Sequence, residues 1–343
     1  MFQTYTIKDI AKALNLSTST VSRALNGSHE IGAETKKLVL EYAEKINYRP
    51  NPIALSLKEQ KSHSIGVVVC EVANNYFSQA INGIESIAYN RGYHVIITQT
   101  HESAERELAN VQHLLSRQVD GLLVSLSAKT VDTTIYEDLQ KKGFPIVFFD
   151  RIPRHIQTDR VIVNNFDGAY QATEALLNSG FKRIAHLTST SNLLISQERF
   201  KGFKAALDQY DVSFTAAYFK QCNHGGMLLK EIETAVEELM ALPVPPDAIF
   251  STNDRLTTGC IPILKTKGYK VPDQVALAGF SNSDVAESFD PPLTVVRQPA
   301  FQMGQIATEL LIKTIERKHP AEANTTEILA TELICRESSF RVS

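Results

Sequence analysis

Two sets of side chains in this sequence could do recognisable chemistry. The first lies within the opening 26 residues: Thr6, Ser17, Thr18, Ser19, Thr20, Ser22, Arg23 and Asn26. Short hydroxyls let a helix backbone come close to a polyanion, and their oxygens suit phosphate together with the free N–H groups of a helix start. One guanidinium fork among them, Arg23, can take both acceptors of a guanine edge in a major groove. By composition alone, capping and solvation of a surface helix is the better account of these residues. The second set follows short aliphatic runs. Asn75, Tyr76 and Phe77 come after the first run, Asp150 and Arg151 after the fourth, and Ser189, Asn253, Asp254 and Ser281 after later ones. Ligands in parallel α/β sheets bind beyond the carboxyl ends of strands, where such residues sit.

Enzyme chemistry finds little support. There is no GxxxxGK[ST] run, no GxGxxG after a strand and no GxSxG elbow. His224, beside Gly225-Gly226, has no second ligand at metal spacing, and His29, His63, His94 and His101 are scattered. The four cysteines form no CxxC pair and read as reduced thiols. No catalytic residue, metal or cofactor is expected. With 43% hydrophobic and 21% charged residues, the composition is that of a soluble globular protein. No apolar run approaches the roughly 18 residues of a membrane span, and from the opening residues no secretory signal is expected. A cytoplasmic location is expected.

The elements that must position these residues can be read from periodicity. Thr6-Ile7-Lys8-Asp9 fits a capping box, and Ile10, Ala11 and Leu14 share one helical face. Ser17 is a second N-cap, Val21, Ala24 and Leu25 give the next apolar face, and Asn26-Gly27 ends that helix. A third helix is expected over 33–46. Residues 1–62 hold nine Lys/Arg and six Asp/Glu, whereas the remainder holds 26 against 32. A small basic head on an acidic body is the asymmetry expected when the head alone meets a polyanion.

Three blocks, 6–11, 16–26 and Tyr48-Arg49-Pro50-Asn51, match in order and spacing the head of the lactose/purine repressor (LacI/GalR) family of bacterial transcription regulators, which the chain resembles to about Phe340. The resemblance implies a helix-turn-helix domain over 1–50, a hinge helix over 51–62, and an effector-binding and dimerisation domain over 63–343. It also implies contacts to a palindromic double-stranded DNA operator from the hydroxyl and arginine set above, from Tyr48 and Asn51, and from the hinge residues Ala54, Leu57 and Lys58. The hinge is short enough to fray when free. Leu57 would wedge between base steps of the minor groove and bend the duplex.

From residue 64 the pattern alternates. Strand-like runs at 64–70, 93–98, 120–126 and 145–149 flank helical segments at 76–91, 104–117 and 135–142, and a second such series follows from 160 to 279. That is a doubly wound α/β body with parallel sheets. The resemblance implies two lobes like those of a type I periplasmic binding protein. Lobe one would hold 63–163 and 293–320, lobe two 164–290 and 325–341, with crossings near Asn164, 290–294 and 320–326. Arg199, in Glu198-Arg199-Phe200-Lys201-Gly202-Phe203, and Asp254, in Ser251-Thr252-Asn253-Asp254, match the family's ligand-binding arginine and aspartate. A planar donor fork and a bidentate acceptor suit neighbouring hydroxyls of a sugar. Without that match, a structural salt bridge between them would be an equal reading. Purine-binding members carry an aspartate where Ser281 follows Gly279-Phe280, and polar groups where Leu193 and Ile195 stand. The resemblance therefore implies a carbohydrate effector, a sugar or sugar derivative, sooner than a purine.

The expectation is a homodimeric repressor that is not an enzyme and binds no membrane, its operator affinity modulated by a small molecule between the lobes. The alternatives are the same regulator controlled by a protein co-effector, and a sugar-binding protein without operator specificity. Residues Ser338–Ser343 carry no leucine heptad, so a tetramer built by such a tail is not expected.

Overall fold

The computed structural model describes residues 5–48, 61–317 and 323–340. The chain separates into two compact units, Met1–His63 and Ser64–Ser343. The hinge residues Asn51, Ala54, Leu57 and Lys58 lie outside the described residues.

The first unit is three short helices around one small core. In α1 (Ile7–Leu14), Ile10 and Ala11 point inward, and Asn15 ends the helix in the left-handed conformation at φ 54°. Asn tolerates that region better than most residues. In α2 (Thr18–Leu25), Val21 and Ala24 are buried, and α3 (Ala33–Lys45) adds Val39 and Ala43. Asn26 keeps φ at −85°, so Gly27, at φ +73°, alone makes the left-handed turn expected of the Asn-Gly pair.

The second unit holds two six-stranded sheets. Strands β1 (Ser64–Val69), β2 (His94–Gln99), β3 (Gly121–Val124), β4 (Ile146–Phe149) and β5 (Asp159–Val163) build the first. Strands β6 (Ile184–Thr188), β7 (Phe219–Gln221), β8 (Ala248–Ser251), β9 (Ala276–Phe280) and β10 (Thr294–Arg297) build the second. β11 (Thr326–Leu329) and β12 (Glu332–Ile334) complete one sheet each. The orders are β11-β5-β4-β3-β1-β2 and β12-β10-β9-β8-β6-β7. All pairings are parallel except β10 with β12.

Helices cover both faces of each sheet, which is why the inner strands read as unbroken aliphatic runs rather than alternating ones. In sheet one, Val67 and Leu123 face α4 (Asn75–Asn90) and α11 (Ala300–Glu316), while Val68 and Leu122 face α5 (Ala104–Ser116) and α6 (Thr134–Lys141). In sheet two, Phe250 and Phe280 face α7 (Asn165–Asn178) and α8 (Leu194–Gln209). Ile249 and Leu277 face α9 (Leu229–Met240) and α10 (Asp254–Thr266). The lobes repeat one device. A Cβ on Gly83 of α4 would lie 2.0 Å from Phe301 O, and one on Gly304 of α11 the same distance from Ala80 O. A Cβ on Gly202 of α8 would likewise lie 2.1 Å from Phe166 O of α7. Each helix pair meets backbone to backbone at a glycine.

Two of the three crossings differ from expectation. The first falls at Asn164, between β5 and α7, as expected. The second is not at 290–294, because β10 pairs with β9 and stays in lobe two; the chain leaves only at Gln298–Pro299. The third is not at 320–326, because β11 pairs with β5 in lobe one; the chain returns between Leu329 and Glu332. Strand-forming sequence does not say which sheet edge receives it. Each sheet has an open edge, at β5 and at β10, and consecutive strands from one short segment close both.

Candidate functional site

On the head, the start of α2 presents the hydroxyl cluster. Ser17 Oγ accepts from the Thr20 N–H at 3.0 Å and stands 2.8 Å from both Ser19 Oγ and Thr20 Oγ1. Ser17, Thr18, Ser19, Arg23 and Asn26 are exposed, while Thr20 and Ser22 are half-buried. Arg23 Nη1 is 3.1 Å from Glu30 Oε2, with both side chains more than half exposed. Such a pair contributes at most about 1 kcal/mol, so the fork is easily released to another acceptor. Thr6 is committed to its helix: its N–H and its Oγ1 both donate to Asp9 Oδ2, at 2.8 and 2.7 Å. Tyr48 packs against the head core, and burial raises the pKa of its hydroxyl.

In the body a cleft opens between the carboxyl ends of the two sheets. Strand order reverses between β1 and β3, and again between β6 and β8. The loops after those strands diverge and leave a crevice. Its walls include Glu71 and Asn74 after β1, Ala128 after β3, Ser189 after β6 and Asn253 after β8. Of the effector contacts expected from the sequence, Phe77, Arg151 and Arg199 line this cleft, together with Ser189 and Asn253, which were singled out for following strands.

Arg199, 3% exposed on α8, is the best-held of these. Its Nε donates to Asn165 Oδ1 at 2.8 Å, its Nη1 donates to Thr252 O, and the guanidinium lies 3.7 Å over the Phe280 ring. Burial pulls its pKa down to about 10, with Asp150 acting against that shift. Arg151 Nη1 donates to Glu102 Oε1 at 2.7 Å, and its Nε is 3.8 Å from Asp150 Oδ2. Burial opposes ionisation of Glu102, yet Arg151 and the Ala128 N–H hold its carboxyl below the ordinary value. Asp150 adopts φ +59° directly after β4 and is 5% exposed. Burial raises its pKa, and Arg151 and Arg199 oppose the rise. A strained aspartate between two guanidinium groups is kept by its surroundings, a pattern that clusters at ligand sites.

The remaining members sit elsewhere. Tyr76 is buried behind the cleft and donates to Met303 Sδ at 2.8 Å, crossing to α11. Asn75 opens α4 with its carbonyl accepting from Ser78, and it is the neighbouring Asn74 that reaches the cleft wall. Asp254 and Ser281 are joined to each other within lobe two, Ser281 Oγ donating to Asp254 Oδ1. Burial raises the Asp254 pKa, and the Ser281 hydrogen bond counters it. The Arg199–Asp254 salt bridge considered from sequence does not form. The sequence reading missed Glu71, Glu102, Asn165 and Arg255. Arg255 donates from Nε to Glu71 Oε2 at 3.0 Å and also from Nη2, a clamp between the lobes. Gln79 and Asn282 form a second link, with Asn282 Nδ2 donating to Gln79 Oε1 at 2.7 Å and Gln79 Nε2 donating to Asn282 O at 3.1 Å. Among the described residues, no cluster of His, Cys, Asp and Glu could hold a metal, and no helix is long and apolar enough to cross a membrane.

Comparison with known proteins places both units. Residues 6–51 match the bacterial regulatory proteins of the lacI family, and residues 173–339 match the periplasmic binding protein-like domain. The HTH-type transcriptional repressor PurR of Mannheimia succiniciproducens is 32% identical over 340 residues, covering 98% of this chain and 99% of that protein. Among solved structures, the transcriptional regulator CelR–cellobiose complex aligns with a TM-score of 0.72 at 26% identity, over 97% of this chain and 99% of that one. The lac repressor dimer bound to operator and the anti-inducer ONPF aligns with a TM-score of 0.84 at 21% identity, over 99% and 100%, which speaks for the fold. The chain belongs to the LacI family of bacterial regulatory proteins, DNA-binding regulators of transcription with an effector-binding body.

Proposed function

We propose that this chain is a cytoplasmic repressor, not an enzyme, that binds a palindromic operator as a homodimer and changes its operator affinity when a sugar or sugar derivative fills the interlobe cleft. One observation carries the reading. α2 leaves Thr18, Ser19 and Arg23 exposed on a self-contained head, while the body holds Arg199 in a cleft with polar walls. Arg23 reads a base edge, and Ser17 and Ser22 with the free N–H groups of α2 take phosphates. Asn51, Ala54, Leu57 and Lys58 complete the contact through the minor groove, and Thr6, Asn26 and Tyr48 support the docked head. In the body, Phe77, Arg151 and Arg199 touch the effector, while Asp150 and Tyr76 hold those groups from behind. Asn75 and Asp254 adjoin the wall residues Asn74 and Asn253, and Ser281 holds Asp254.

Two states follow from the crossings. The Glu71–Arg255 clamp and the Gln79–Asn282 link span the lobes, so a ligand between them favours one lobe angle by its differential contacts. The test is selection of bound sequences from a random duplex library by the purified full chain. Enrichment of a palindrome supports the reading. Enrichment of no sequence at moderate salt, with the chain folded and dimeric, refutes it.

A further inference from the structure

The cleft is not the end of the interlobe space. A second groove adjoins it and shares four wall residues with it: Ala128, Arg151, Leu193 and Ile195. The groove is the larger of the two, about 1220 Å³ against about 670 Å³ with the mouths included. Leu193 and Ile195 line both, so a ligand seated in one can extend past them into the other.

The two compartments differ in charge. In the inner cleft the guanidinium groups already face carboxylates: Arg151 faces Glu102 and Asp150, and Arg255 faces Glu71, while the His224 ring is hydrogen-bonded through Nδ1 to Glu231 Oε1 at 2.8 Å. Arg199 has Asp150 as its opposing charge. That set suits a neutral, hydroxyl-rich ring, which adds no charge to a balanced site. The outer groove is lined by Arg154 and His155 with Thr130, Thr133, Ser191 and Asn192, and among the described residues no carboxylate lines it. Among the described residues neither Arg154 nor His155 is in an ion pair. Arg154 Nη2 donates instead to a neutral amide, Gln197 Oε1, at 2.5 Å, and Gln197 Nε2 donates to Ser191 O at 2.7 Å. The acids nearest Arg154 and His155 along the chain are already engaged: Asp150 faces Arg151, and Asp159 accepts from Thr314 Oγ1 and from the Thr325 N–H. A fork held only by an amide, beside an imidazole and several hydroxyls, is a seat for a planar or tetrahedral oxyanion.

We propose that the effector is an anionic sugar, its neutral ring in the inner cleft and its phosphate ester or carboxylate in the outer groove against Arg154 and His155. This rests on the cleft being the effector site. Arg154 lies in the loop after β4 and Gln197 on α8, so the anion takes over a contact that spans the lobes.

Calorimetric titration of the full chain tests it with glucose, glucose 6-phosphate, glucuronate, ribose, ribose 5-phosphate and inorganic phosphate. At least one anionic sugar is expected to bind ten times more tightly than its neutral parent. The double substitution Arg154→Gln, His155→Gln is expected to bring that ratio to within a factor of two. A preference confined to the phosphate esters, or to the uronate, identifies the anion. Neutral parents binding as tightly as their anionic forms, or a ratio that survives the double substitution, overturns the proposal and leaves the cleft assignment standing. Inorganic phosphate binding as tightly as the sugar phosphates overturns it as well. If no sugar of either kind binds, the cleft assignment falls with it.

Discussion

His186→Phe should make lobe two less sensitive to acid, by an amount the structure fixes. His186 lies on β6 with no exposed surface, and neither Nδ1 nor Nε2 has a hydrogen-bond partner. Its ring stacks on Phe219 at 5.6 Å and touches Phe203, Phe200 and Phe250 at 4.8, 5.2 and 5.5 Å. Burial in this aromatic cage lowers its pKa from 6.5 to about 3. The folded ring is therefore neutral at pH 5, whereas the unfolded chain is mostly protonated there. Stability linked to His186 is fully present above pH 6.5 and is lost as pH falls toward 3. The loss is about 1.4 kcal/mol per pH unit within that window, or about 2 kcal/mol at pH 5. The figure at pH 5 barely changes if the folded pKa is 4, because both values lie well below 5. Phenylalanine removes the titration but adds volume, and overpacking costs about 1–3 kcal/mol at any pH. The informative quantity is therefore the stability difference between wild type and variant at pH 5, minus the same difference at pH 7. Urea unfolding of the full chain at both values should give about 2 kcal/mol in favour of the variant. A value near zero would refute the reasoning, since the buried ring would then be titrating as freely as in the unfolded chain.

Three further outcomes are expected. Gly304→Ala should destabilise lobe one by about 3 kcal/mol in chemical unfolding, because the new methyl meets the Ala80 carbonyl at 2.0 Å and the α4–α11 pair must separate; unchanged stability would contradict the close approach. Arg23→Ala should cut discrimination between the selected operator and scrambled DNA by about 10- to 100-fold in anisotropy titrations while the circular dichroism spectrum holds; undiminished discrimination would place the reading elsewhere. Arg199→Lys keeps the charge but loses the planar stack on Phe280 and one of the two bonds to Asn165 and Thr252. Affinity for whichever sugar shifts operator binding should fall at least about tenfold in calorimetry, and an unaltered constant would remove Arg199 from the site.

How much of this was legible beforehand depends on whether the determinant is local. The head was readable because Ile10, Ala11, Val21 and Ala24 fall at helical spacing, with Ser17 and Asn15 at the caps. The alternation of runs in the body gave the parallel sheets for the same reason. Membership of β10 and β11 in opposite lobes was not readable. Thr294–Arg297 and Thr326–Leu329 are both plausible strands, and only the edges left open by β9 and β5 decide where they pair. At the site, the rule that ligand groups follow strands found Asp150 and Arg151. After β1 and β8 it pointed to Asn75–Phe77 and to Asn253–Asp254; read closer to the ends of β1, β5 and β8 it would also have found Glu71, Asn165 and Thr252. Glu102 had no such local mark; its role comes from meeting Arg151, 49 residues away. Asp254 and Ser281 were placed correctly after their strands, yet each is the other's partner, and pairing of that kind is set by tertiary distance.

Coupling between the two units is the central claim, and one measurement addresses it directly. The affinity of the full chain for its selected operator is titrated with and without a sugar shown by calorimetry to bind the body. A change of about 5- to 150-fold, matched by the same factor in sugar affinity when operator is bound, is the expected result. A saturated cleft with unchanged operator affinity would contradict it.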